Sequence, residues 1–362
     1  MDSIKRLPLD QVHQNNQGKM IEYAGWLLPE RFSDSQEEHL AVRQKAGLFD
    51  ASHMGKASLK GNRAAAFLQR MIVGEAASLE DGQSRYSLMC YPDGGLLDDL
   101  YLYRFSRQEY LLTFNVLNAY ISLQWLLQNP LEGAALTDVS EQYAILALHG
   151  PAAETILQKL TPTPLAELRL NHFSRETLIN GSNCLLSRNG YCGEDGFEIF
   201  LPPTDAPNLW EALLAAGEPH GLLPIGLSAR ESLRLEACAP LYGHELVPDL
   251  NPVAAGLGGL INFEKGDFIG RAAIIEALAV GLARKLTGLT MVGQGLPRNG
   301  HFVEFNGREI GWVTSGGYAP SLQKNIALAL LDTDCAQIGE SVDVVIRDQR
   351  YAAQVVAMPF IR

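Results

Sequence analysis

Apolar positions recur at helical spacing in some segments of this chain and alternate in others. The segment "EEHLAVRQKAGLF" (37–49) predicts a helix that ends near Gly47, a residue suited to a helix C-terminus. "NRAAAFLQRMI" (62–72) predicts a second amphipathic helix. Alternation then takes over in "LLDDLYLYRF" (96–105) and "EYLLTF" (109–114), with the polar "SRQ" between them marking a hairpin. "NVLNAYISLQWLLQ" (115–128) is helical again. "YAILALHG" (143–150) is a buried strand, and it feeds the helix "PAAETILQKL", where Pro151 suits the first turn.

"NCLLSRNGYCGEDGFEIFL" (183–201) predicts a strand, a glycine-rich turn and a second strand. Helices follow at "DAPNLWEALLAAG" (205–217) and "LSARESLRLEA" (227–237). This irregular mixture predicts α+β layers in preference to a doubly wound sheet. Past about residue 280 the pattern changes. "RKLTGLTMV", "HFVEF", "EIGWVTSGG", "NIALALL", "SVDVVIRD" and "YAAQVVAM" are short strands parted by turn residues. They predict a small β-barrel or sandwich, and the helical "RAAIIEALAVG" (271–281) is its linker.

The length, 362 residues, exceeds what one core usually holds and predicts two or three domains. A net charge of −12 argues against a nucleic-acid binder. Five cysteines, Cys90, Cys184, Cys192, Cys238 and Cys335, show no CxxC spacing and suggest neither zinc nor a disulfide framework. A reducing cytoplasm fits that usage. The N-terminal stretch lacks a signal-type apolar core, and no apolar run is long enough to span a bilayer. The eight histidines show no metal-ligand spacing, and neither GxGxxG nor a Walker motif is present.

Three clusters offer chemistry. Asp98 and Asp99 are adjacent in a strand, where side chains alternate, so they point in opposite directions. At most one faces any given cavity, and periodicity does not choose between them. The second cluster holds Arg188, Tyr191, Glu194, Asp195 and Glu198. Glu198, between Phe197 and Ile199, is either the polar face of a strand or an acceptor for the N–H groups of a planar heterocycle. In the third, Arg230 and Arg234 share a helix face with Glu231 and Glu236 nearby. A salt-bridged helix is the base-rate reading; the sharper one gives an arginine fork a carboxylate or the polar edge of a heterocycle. His53 and Met54, in "SHMG", read as core packing.

Seven motifs in order and register resemble the aminomethyltransferase, or T-protein, of the glycine cleavage system. They are "GKMIEYAGWLLP", "EEHLAVRQKAGLFDASHMG", "YSLMCYPDGGLLDDLYLYR", "NGYCGEDGFEI", "GLSARESLRLEACAPLYGHEL", "DFIGRAA" and "TSGGYAPSLQKNIALALL". The resemblance implies a three-domain cloverleaf of α+β type: two interleaved lobes within 1–277, one spanning approximately 52–142, and a C-terminal β-barrel over 278–362. It implies tetrahydrofolate as acceptor substrate and a lipoylated H-protein as donor of an aminomethyl group, with no metal, nucleic acid or membrane involved. Asp98 would be the catalytic acid. Tyr86, Asn115, Tyr191, Glu198 and Arg230 would contact the folate, and Met54 would line its cavity.

Departures from the family pattern are "AYISL" (119–123) where Glu-Lys-Asp is common, Cys192 in place of Thr, and Ala319 in place of Ser. A divergent paralogue would carry such changes. H-proteins are generally acidic, so like charge slows their encounter with a chain of net charge −12. Two alternatives keep the fold. One is a folate-dependent demethylase with a methylated donor. The other is a non-catalytic folate-binding protein supporting iron–sulfur assembly, whose usual cysteine motif is absent from "EKGDFIGRAA" (264–273).

Overall fold

The computed structural model describes residues 4–190 and 192–361. The chain divides into two units. One comprises the residues up to Ala64, Leu79–Tyr86 and Tyr101–Glu231; the other comprises Ala65–Ser78, Ser87–Leu100 and the chain from Ser232 onward. Strands Ser84–Cys90 and Leu96–Ser106 begin in one unit and end in the other.

The first unit is built on a six-stranded sheet. Its order is His172–Ile179, Ser182–Asn189, Gly196–Leu201, Ala144–His149, Ala46–Asp50 and Leu222–Pro224. One face carries Leu48, Leu146, Leu148, Phe197 and Ile199, all fully buried under helices Ala153–Leu157 and Ala206–Gly217. Glycine ends the second of these helices, as the sequence predicts. On this face too, buried His13 meets Asp50, with Nε2 and Oδ2 2.9 Å apart.

The expected helix over 37–49 is instead a helix, Ser35–Gln44, followed by the buried strand Ala46–Asp50. Asp34 caps the helix by accepting from the backbone N–H groups of Gln36 and Glu37. The helix stops at Lys45 because the next residues pair with strands on both sides, antiparallel to Ala144–His149 and parallel to Leu222–Pro224. Gly47 therefore serves the sheet rather than a helix end. A Cβ there would lie 2.4 Å from Val42 Cγ2, so glycine lets the helix close onto its own following strand.

A five-stranded sheet runs in the order Ser84–Cys90, Leu96–Ser106, Glu109–Phe114, Gly55–Lys60 and Ala135–Asp138. The predicted hairpin is its centre. Helices Ala64–Met71, Ala119–Gln128, Leu227–Glu236 and Arg271–Val280 form where helical spacing placed them.

The barrel–sandwich alternative resolves to a closed barrel in the second unit. Its order is Arg284–Met291, Lys324–Asp332, Arg308–Ala319, Phe302–Phe305, Ser341–Ile346 and Gln349–Val356, and the last strand pairs back onto the first. Leu289, Val303, Val313, Ala329, Val344 and Val355 fill its interior. Among the described residues no helix is long and apolar enough to cross a membrane.

Candidate active site

The register of the six-stranded sheet assembles the first part of the site. Glu198 lies opposite Ala147, and Ala147 lies opposite Phe49. Residues directly paired across strands project to the same face. Glu198, Ala147 and Phe49 therefore form one row, on the face away from the Leu48–Leu146–Leu148 core. Strands are spaced ~4.8 Å apart, so Glu198 and Phe49 stand roughly 10 Å apart with only a methyl group between them.

Each end of the row is equipped. At one end Tyr103 Oη donates to Glu198 Oε2 at 2.9 Å. Tyr103 is fully buried, with Phe173 and Phe200 edge-on to its ring at 5.7 and 5.2 Å. Burial first, then the charge of Glu198, holds its phenol well above the usual tyrosine range, so it remains a donor. The aromatic contacts continue from Tyr103 to Tyr101 at 6.1 Å and from Tyr101 to Tyr86 at 5.6 Å. At the other end the Arg230 guanidinium lies 4.9 Å from the centre of the Phe49 ring. His53 meets the same ring edge-on at 5.9 Å. Burial and then Arg230 push the His53 imidazole down to about 3, so it is neutral near pH 7. An acceptor-only carboxylate, an apolar floor and a planar cation thus share one face of one sheet.

The acid doublet sits on strand Leu96–Ser106. Asp98 has no exposed surface, and Leu100 and Leu102, on its side of the strand, are equally enclosed. Asp99 is half-buried, and alternation places it on the side of Tyr101 and Tyr103. The Tyr242 phenol is held above its usual range by burial first, then by Tyr91 and Asp98.

The remaining expected residues divide. Met54 and Asn115 each adjoin one end of the last pair of their strands, Gly55–Phe114. Asn115 Oδ1 also accepts from Leu117 N at 3.1 Å, closing a turn ahead of the next helix. Tyr191 lies outside the described residues. The turn acids are structural: Asp195 binds Arg188 and Glu194 binds Arg43. Arg234 turns to Glu245, at 3.4 Å, and to Ser315 rather than joining Arg230. Beside the turn, burial alone would raise the Cys192 thiol, yet His149 carries it below its usual value and is itself raised.

Sequence reasoning missed Phe49, Tyr101, Tyr103 and Ala147. The alternation of 96–105 carries a signal for the two tyrosines, since it sets Tyr101 and Tyr103 on the Asp99 side. Phe49 was hidden inside a segment that reads as helix.

The architecture and these residues define an α+β protein with a C-terminal barrel and a sheet face that groups a carboxylate, an apolar row and an arginine. Comparisons with known proteins place it more finely. Residues 9–265 match the GCVT N-terminal domain, and residues 284–361 match the glycine cleavage T-protein C-terminal barrel domain. The aminomethyltransferase of Halalkalibacterium halodurans is 45% identical over 360 residues, covering 99% of both chains. That of Geobacillus sp. (strain WCH70) is 46% identical over 358 residues, covering 99% of this chain and 98% of the relative. The crystal structure of glycine cleavage system aminomethyltransferase T from Bartonella henselae superposes with a TM-score of 0.92 at 34% identity, over 99% of this chain and 98% of that one. The chain belongs to the glycine cleavage T-protein family.

Proposed function

We infer that this chain is the folate-dependent aminomethyltransferase of the glycine cleavage system. It takes an aminomethyl group from the lipoyl arm of an H-protein and passes its carbon to tetrahydrofolate. The carbon's bonds to sulfur and to the amine nitrogen break, and bonds to two folate nitrogens form. The products are methylenetetrahydrofolate, ammonia and the reduced lipoyl group. Full-length relatives that bear the name aminomethyltransferase support this reading over a demethylase or an iron–sulfur assembly protein.

The observation that carries the substrate assignment is the row from Glu198 to Phe49. A pterin presents adjacent N–H donors along one edge, and a carboxylate is the side chain that accepts several of them without donating. Tyr103 engages Oε2 and fixes the carboxylate plane, and we assign Oε1 to the ligand. Arg230, over the Phe49 ring, sets a guanidinium on the same face, and Tyr86 adds an aromatic wall. Met54, Asn115 and Tyr191 are proposed contacts around the rest of the folate.

The acid doublet supplies the remaining chemistry. Asp98, the expected catalytic residue, has no exposed surface, whereas Asp99 on the opposite side of the strand is half-buried. We propose that Asp99 meets the folate and that Asp98 acts from behind it. A carboxylate here orients the attacking nitrogen and stabilises the positive charge that develops on it. Holding both reactants together away from water provides the rest.

We further propose a cytoplasmic location, from cysteine usage, and a division of labour between a folate module (1–277) and a barrel (278–362). The deciding assay supplies aminomethylated H-protein and tetrahydrofolate and measures ammonia and methylenetetrahydrofolate. Turnover with methylated amines or dimethylsulfoniopropionate, and none with H-protein, would reject the reading.

A further inference from the structure

The barrel carries a cleft of about 490 Å³, lined in part by Leu296, Arg298, His301, Ile346, Arg347 and Tyr351. No aspartate or glutamate lines it, in a chain whose net charge is −12. Among the described residues neither Arg298 nor Arg347 forms an ion pair, whereas neighbouring Arg350 is held by Glu304 at 2.7 Å. Two cations left uncommitted at one concavity form a local field opposite to that of the whole protein.

The walls are fixed in advance. Arg298 Nη1 donates to Gly316 O at 2.8 Å, which leaves its other N–H groups to the cleft. The backbone N–H of Arg298 donates to His301 Nδ1 at 3.1 Å, so the ring proton is on Nε2, a second donor. A Cβ on Gly295 would lie 2.7 Å from the Tyr351 ring; only glycine lets that backbone lie flat on it. Tyr351 Oη donates to Gln349 Oε1 at 2.9 Å, so the ring is pinned at its far end too. Leu296 and Ile346 add apolar surface, Leu296 being 39% exposed. Arg347 and Asp348 form the tip of the last hairpin with φ of +47° and +64°. Two-residue turns of this kind favour Asn-Gly, so an arginine there is held against local preference.

We propose that this cleft is a second ligand site, for a small organic oxyanion whose apolar body rests on Tyr351, Leu296 and Ile346 while Arg298, Arg347 and His301 hold its charged group. The site stands independently of the folate reading. Phosphate monoesters and carboxylates share this chemistry, and the test separates them.

Full-length protein is titrated calorimetrically with phenyl phosphate, benzoate, inorganic phosphate and phenol, and the His301 ring signals are followed by NMR. One of the two organic anions is expected to bind at a single site and shift His301. Arg298→Gln and Arg347→Gln should each weaken that binding at least tenfold, and phenol should not bind. Arg347→Gly guards against a folding artefact: it relieves the positive φ, so it should unfold no earlier than the parent yet lose the anion. The proposal is overturned if neither organic anion binds, if the arginine variants bind as the parent does, or if inorganic phosphate binds as tightly as phenyl phosphate.

Discussion

Tyr103 and Glu198, 95 residues apart in the chain, are joined by a 2.9 Å hydrogen bond from phenol to carboxylate. The bond fixes which oxygen of Glu198 remains for a ligand, and it gives the carboxylate a rigid, apolar surround. Tyr103→Phe should therefore weaken tetrahydrofolate binding by about tenfold, in line with ~1.5 kcal/mol for a hydrogen bond to a charged group. Glu198→Gln should cost more, because the amide turns donors toward donors. Equilibrium folate binding reads both, and unchanged affinity in Glu198→Gln would remove the pterin assignment.

The doublet is separable by mutation. Asp99→Asn should keep folate binding and lower kcat by on the order of a hundredfold, as loss of one preorganised electrostatic contact does. Asp98→Asn, in an enclosed position, should lower the thermal midpoint as well as the rate. If Asp98→Asn alone abolishes turnover with the fold intact, the order proposed for the two acids is reversed.

The Arg230 guanidinium lies over the Phe49 ring. Arg230→Lys keeps the charge but loses the planar fork, so folate affinity should fall by about three- to thirtyfold. Phe49→Leu should produce a smaller loss in the same assay. A Lys variant with parental affinity would show that only the charge matters.

Lys56 gives a pH dependence of known sign. Its ammonium is buried against the carbonyls of Ser52 and Ser140, at 2.9 and 3.0 Å, and burial pushes its pKa down from 10.5 to about 8. Between these values the unfolded chain holds the proton more often than the folded one, so stability should rise as pH goes from 8 to 10.5. Lys56→Met should flatten that rise in denaturant titrations. A slope equal to the parent's would assign the effect elsewhere.

Gly47 faces Val42 at a separation that leaves no room for a methyl group. Gly47→Ala should destabilise by about 1–3 kcal/mol, the usual cost of overpacking. Adding Val42→Ala should recover part of the loss, and a double-mutant cycle with no coupling would contradict the packing described.

What the sequence reveals follows from which faces of an element meet water. Strand Ser341–Ile346 of the barrel alternates wet and dry positions over its first residues, so "SVDVVIRD" announces itself by alternation. Ala46–Asp50 is enclosed on both sides; nothing alternates, and its residues continue the spacing of the helix before it. The candidate site was legible as residue types but not as a place. Glu198 and Arg230 were each open to two readings, and only strand register shows that Ala147 sets them on one face. Arg234, four residues beyond Arg230, looked equivalent until Glu245 claimed it.

The interleaving of the two units bears on how the chain can be taken apart. Each is assembled from three stretches of backbone, and the boundaries alternate from Ala64 to Ser232. A protease nick anywhere in that interval yields two fragments that both hold pieces of both units. The closed barrel stays whole on the C-terminal piece, but any cut before Leu222 parts Ala46–Asp50 from Leu222–Pro224 and so splits the six-stranded sheet. Such clipped protein should stay associated until denatured, and the N-terminal piece expressed alone should be insoluble.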